Sequence, residues 1–155
     1  MHALPFLTPM RLAALALLAL AGCSSAEPDV ERIPVPTPLF VGVLPCSVVG
    51  TSCKPGETAT IQVAAGLFGC LGYSINGTSR RQGTTLRIAL RDVTEPRGAC
   101  LTANGPARGQ FGLGSGTLPE TLDLELGARV DRYRLAVVRD TLVLLPVSTR
   151  FSVTR

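Results

Sequence analysis

The sequence predicts an all-β protein: a small antiparallel β-sandwich behind an N-terminal export segment. Three observations carry this expectation. Apolar and polar residues alternate with a period of two in several separate stretches. The chain holds 16 Gly and 12 Pro, which favours many turns over long helices. No stretch after the first 22 residues shows a helical apolar stripe.

The elements follow in order. Arg11 is followed by an apolar run, Leu12-Ala13-Ala14-Leu15-Ala16-Leu17-Leu18-Ala19-Leu20. It is shorter than the ~20 residues that cross a bilayer, and its basic start and small end describe a secretory signal. Met10 stands directly before Arg11 and could serve as the start, since the run begins at once after the pair. Next comes "SSAEPDVERIPVPTP", in which Pro28, Pro34, Pro36 and Pro38 oppose helix and favour an extended tether. The expected organisation is residues 1–22 as signal peptide, 23–38 as Cys and Pro-rich tether, and 39–155 as the β-sandwich domain.

Within that domain "TATIQVA" alternates around Ile61 and Val63. "TTLRIALRDV" sets Leu86, Ile88 and Leu90 against Arg87, Ala89 and Arg91. "TLDLELG" sets Leu122, Leu124 and Leu126 against Asp123 and Glu125, and "DRYRLAVV" sets Tyr133, Leu135 and Val137 against Arg132, Arg134 and Ala136. "TLVLLPV" is apolar on both faces and is expected as a covered strand ending near Pro146, with Arg139-Asp140 turning the chain before it. Asn76-Gly77 is expected as a hairpin turn, because both residues tolerate positive φ. "GQFGLGSG", Gly109 to Gly116, lacks Gly-Lys-Ser/Thr and reads as a loop rather than a phosphate cradle.

Two resemblances add to this. Leu20-Ala21-Gly22-Cys23 resembles the lipobox of bacterial lipoprotein precursors. The resemblance implies cleavage before Cys23, a lipidated Cys23 carrying acyl chains such as palmitate, and a lipid-anchored protein of the bacterial cell envelope. Ser24, where Asp would direct retention, favours the outer membrane in a two-membrane organism. The segment "LGARVDRYRLAVVRDTLVLLPV" resembles the last strands of immunoglobulin-like or fibronectin-like envelope domains, with Tyr133 as the corner tyrosine. No Trp is present and no Cys stands two residues after Tyr133, so the likeness is architectural.

Cysteine and charge narrow the function. Beyond Cys23, an even set remains: Cys46, Cys53, Cys70 and Cys100. In an exported domain such a set reads as disulfides. Of the three pairings, Cys46–Cys53 and Cys70–Cys100 are preferred, with loop-entropy contributions of roughly 2.5 and 3.5 kcal/mol. No Cys-x-x-Cys occurs, which argues against zinc and redox sites. The sole His is His2, so the expected mature chain lacks the commonest general base and metal ligand. No catalytic residue, cofactor or metal is expected.

Net charge is +4, and loss of residues 1–22 removes Arg11 to leave +3. Such an excess suits anionic surfaces such as lipid head groups. No basic cluster is interleaved with aromatics, which argues against nucleic acid. Asp123 and Glu125 are expected on a solvated strand face opposite Arg87 and Arg91. Arg80 and Arg81 are the candidate binding rim, and the Gly109–Gly116 segment is a second candidate.

The sequence therefore points to a non-enzymatic binding or structural domain held by lipid, with an envelope protein or glycan as partner. An inhibitor-like domain blocking an exported enzyme stands second, and an exported hydrolase third. An exposed apolar cluster would favour binding; a pocket with convergent carboxylates would favour hydrolysis.

Overall fold

A computed structural model describes residues 31–44, 59–98, 103–114, 116–139 and 141–154. The signal segment, Cys23, Cys46, Cys53 and Cys100 lie outside the described residues. The described residues form strands and no helix. In chain order the strands are β1 (Arg32–Ile33), β2 (Leu39–Leu44), β3 (Thr60–Phe68), β4 (Ser74–Gln82) and β5 (Thr85–Thr94). They continue with β6 (Gly105–Gly112), β7 (Thr121–Leu126), β8 (Arg129–Val138), β9 (Thr141–Ser148) and β10 (Ser152–Thr154).

These strands pair in the order β10-β2-β3-β6-β4-β5-β7-β8-β9, with β1 beside the end of β5. The sheet is mixed, where the sequence led us to expect an antiparallel one. β5 runs parallel to β7 from Thr85↔Thr121 to Leu90↔Leu126, and β10 runs parallel to β2. β9, at one end of the order, lies against β2 and β10 at the other, so the sheet is nearly barrel-shaped. The core is the interior of that curve. Alternation fills it: Ile61, Val63, Leu86, Ile88, Leu122, Leu124 and Tyr133 are buried, and the residues between them mostly face outward.

Part of the expected tether belongs to this domain. Arg32 and Ile33 pair with Thr94 and Val93, and Val35 is buried in the core.

The turns fall elsewhere than expected in one case. Asn76-Gly77 lies inside β4, at a register shift that leaves Arg91 of β5 unpaired between Leu90 and Asp92. A Cβ on Gly77 would stand 2.6 Å from the Ala89 carbonyl oxygen and 3.1 Å from the Phe111 ring. The glycine is therefore needed for close approach within a bulge. The turn comes at Gly83-Thr84, where Gln82 pairs with Thr85 and Gly83 takes φ +59°. Arg139, with φ +48°, stands in the turn between Val138 and Thr141 as expected; Asp140 is outside the described residues.

Three further expectations change. The Gly109–Gly116 segment is a loop only in its second half. Gly109 and Phe111 are inward positions of β6, and Ser115 is outside the described residues. Val137 is 51% exposed rather than in the core, because it lies beyond the end of β7's pairing with β8. β9 is an outermost strand, not a covered one: Leu142 and Leu144 pack toward the core while Leu145 and Val147 face out. Pro146 sits within β9 at a register shift, a position open to proline on an edge.

Candidate functional site

The outer face of β4, β5, β7 and β8 carries one row of charge. Register places Arg80 beside Arg87, Arg87 beside Asp123, and Asp123 beside Arg132. Arg132 grips Asp123 with both arms of its guanidinium, Nε to Oδ1 at 2.6 Å and Nη2 to Oδ2 at 2.8 Å. Arg87 stands 4.0 Å from Asp123 and 3.8 Å from Glu125. The bidentate hydrogen bond raises the Arg132 pKa, with the Asp123 charge adding to it. Asp123 is only 2% exposed, so it is not the solvated carboxylate the alternation suggested. The arginines on either side cover it. Arg91, the other expected partner, lies past the last β5–β7 pair, Leu90↔Leu126, and lines a different pocket.

A groove of about 250 Å³ opens on this face between Arg80, Arg87 and Glu125. Arg80 faces it, but its neighbour Arg81 does not. The Arg81 guanidinium donates to the carbonyls of Gly83 and Thr117 and to the Thr117 hydroxyl. It ties the β4–β5 turn to the segment before β7. The candidate rim thus divides into one outward arginine and one structural arginine.

Inside the sheet lies a polar cluster that sequence reasoning passed over. Asp131, on β8, is fully buried. Its Oδ1 accepts from the backbone N–H of Arg150 at 2.7 Å, and its Oδ2 from those of Phe151 and Ser152 at 3.1 and 2.8 Å. The Ser152 hydroxyl also donates to Asp131, and the Tyr133 hydroxyl bonds the Ser152 hydroxyl. Burial raises the Tyr133 pKa. A hydroxyl beside a carboxylate has the atoms of an activated nucleophile, yet all three residues are buried. Their bonds hold the chain at residues 150–152, where Phe151 in turn accepts from the Leu39 N–H. Arg129 lies 5.2 Å over the Phe151 ring. The cluster clips the C-terminal strand across the closing edge of the sheet. Its signal was present in the sequence, since Asp131 shares the inward parity of Tyr133 and Leu135.

A third polar site forms around the β5 bulge. A pocket of about 300 Å³ is lined by Arg32, Arg91 and Arg97 together with Asn76, Asp92, Thr94 and Glu95. The Asn76 amide donates to Asp92 at 2.6 Å and to Thr94 at 3.3 Å. The Tyr73 hydroxyl donates to Glu95 at 2.6 Å, which raises the Tyr73 pKa, and its ring stacks on Phe68 at 4.3 Å. Both carboxylates thus accept from neutral donors. Among the described residues, the three guanidinium groups have no ion-pair partner.

Cys70 is buried in the turn after β3. Gly72 of that turn packs on Pro96, and Leu71 packs over Gly105. Among the described residues no three His, Cys, Asp or Glu side chains gather in a metal-binding group. The sheet's closing side exposes Val137, Val138, Leu145, Val147 and Val153.

Compared with known protein families, with curated proteins and with solved structures, the chain gives no match.

Proposed function

We propose that the chain is a lipid-anchored protein of the bacterial envelope, most simply the outer membrane, whose β-domain acts by binding and not by catalysis. The anchor rests on Leu20-Ala21-Gly22-Cys23 behind its short apolar run. One observation carries the non-catalytic reading: both buried carboxylates are fully committed to the fold. Asp131 is filled by backbone N–H groups and a hydroxyl, and Asp123 is gripped by Arg132. The exposed valines and leucine of β8, β9 and β10, with Arg80 on the outer face, supply surface for an envelope protein or glycan.

The same reading takes the near-barrel as a flattened, immunoglobulin-like sandwich. The antiparallel run β7–β8–β9, with Tyr133 in its middle strand, supports it. It also takes Cys46–Cys53 and Cys70–Cys100 as disulfides. The packing of the Cys70 turn against Pro96 and Gly105, which flank residue 100, supports the second pair. An inhibitor-like domain is the second reading, and the outward, apolar β9 favours it.

The test is a panel of esterase, glycosidase and peptidase assays on protein purified from the envelope, with capture of its partners. No turnover, and capture weakened by Arg80→Gln, is the expected result. Turnover abolished by Glu125→Gln would contradict the proposal, because Glu125 is the outer-face carboxylate that the fold leaves only loosely held.

A further inference from the structure

We propose that the pocket formed by Arg32, Arg91 and Arg97 receives the phosphate of an anionic lipid headgroup in the membrane that anchors the chain. The inference rests on the reading of Cys23 as the anchor and adds to it a second, electrostatic contact.

Charge is the first argument. Three exposed arginines line one pocket of about 300 Å³. The same pocket is lined by two carboxylates, Asp92 and Glu95, which accept hydrogen bonds from Asn76 and Tyr73, so arginine exceeds carboxylate by one in its lining. No Asp or Glu among the described residues lies within ion-pair distance of the three guanidinium groups, so their planar donor arrays are open to a phosphate.

The fold builds this arrangement from three places in the sequence. Arg32 arrives by pairing of β1 with the end of β5, Arg32↔Thr94. Arg91 is the residue left over where Asn76 pairs with Asp92 and Gly77 with Leu90, and this bulge leaves Arg91 and Asp92 in succession out of the core between buried Leu90 and Val93. Arg97 follows β5.

Reach is the second argument. Arg32 is nine residues from Cys23. Whatever its conformation, a chain of that length spans at most about 30 Å. Ile33 pairs with Val93 and Val35 is buried, so the leash is fixed to the domain at this point. The pocket containing Arg32 therefore lies within about 30 Å of the anchor along the chain. An arginine near an anionic membrane surface strengthens partitioning by roughly five-fold.

The experiment uses the chain from residue 23 onward with Cys23→Ser, which carries no acyl group and contains every described strand. It is sedimented with phosphatidylcholine vesicles that contain or lack phosphatidylglycerol. The expected result is binding only to the anionic vesicles, weakened roughly 25-fold by Arg91→Gln with Arg97→Gln. Arg134→Gln with Arg150→Gln removes the same charge elsewhere and should leave binding unchanged. Equal binding to both vesicles, no binding to either, or equal loss in the two double variants would overturn the proposal. Palmitate labelling of the full chain reads the anchor separately: it survives failure of the pocket, and vesicle binding survives failure of the anchor.

Discussion

Asp131 and Asp123 stand on neighbouring strands, and each finds its hydrogen-bond partners differently. Asp131 faces inward and takes its partners from the backbone at Arg150, Phe151 and Ser152. Asp123 faces outward and takes Arg132. Removing the first strands two buried N–H donors, those of Phe151 and Ser152, and the part-buried one of Arg150, so Asp131→Ala should cost about 3 kcal/mol of stability in urea unfolding. It should also loosen residues 150–154 in hydrogen exchange. The Tyr133 hydroxyl offers a pH test. Burial raises its pKa in the folded protein, while the unfolded chain titrates near the ordinary value of about 10. Its contribution is complete below that pH and is lost as pH rises from there through the folded pKa. Urea midpoints followed upward from about pH 9 should fall more steeply for the native chain than for Tyr133→Phe. Parallel curves would mean that this hydroxyl is not held in its neutral form.

At the scale of the strand, alternation was readable where the inward residues are large. Leu86, Ile88 and Leu90 announced β5, and Leu122 and Leu124 announced β7. β6 was missed because its inward positions are Gly105, Ala107, Gly109 and Phe111, and two of those four are glycines, which resemble loop residues. Asn76-Gly77 misled for a related reason. Glycine serves a turn through positive φ or a close approach through its missing Cβ, and local sequence does not separate the two uses. Here Gly77 meets the Ala89 carbonyl across the ladder, while Gly42 on β2 has nothing within 4 Å of an added Cβ. Gly77→Ala should therefore cost about 1–3 kcal/mol by overpacking. Gly42→Ala should be neutral or mildly stabilising, since a strand glycine carries an entropic cost of its own. Thermal unfolding of the two variants decides this, and equal midpoints would contradict the bulge geometry.

At the scale of the molecule, what could not be read was which strands meet. The parallel pairs β5–β7 and β10–β2 join segments far apart or at opposite ends of the chain, and no local pattern encodes them. The near-closure depends on the clip of Asp131, Tyr133 and Ser152, which brings β10 to β8 while β10 pairs with β2. The candidate site divides in the same way. The opposition of Arg87 and Asp123 was legible because it needs only two strands side by side. The arginine pocket was not, because it needs a bulge and the pairing of β1. The central proposal is the lipid at Cys23, which sets where the domain works and brings the arginine pocket within reach of a membrane. Metabolic labelling with palmitate tests it most directly. The full chain should take the label and Cys23→Ser should take none; labelling that persists in the variant, or is missing from the native chain, would contradict the account.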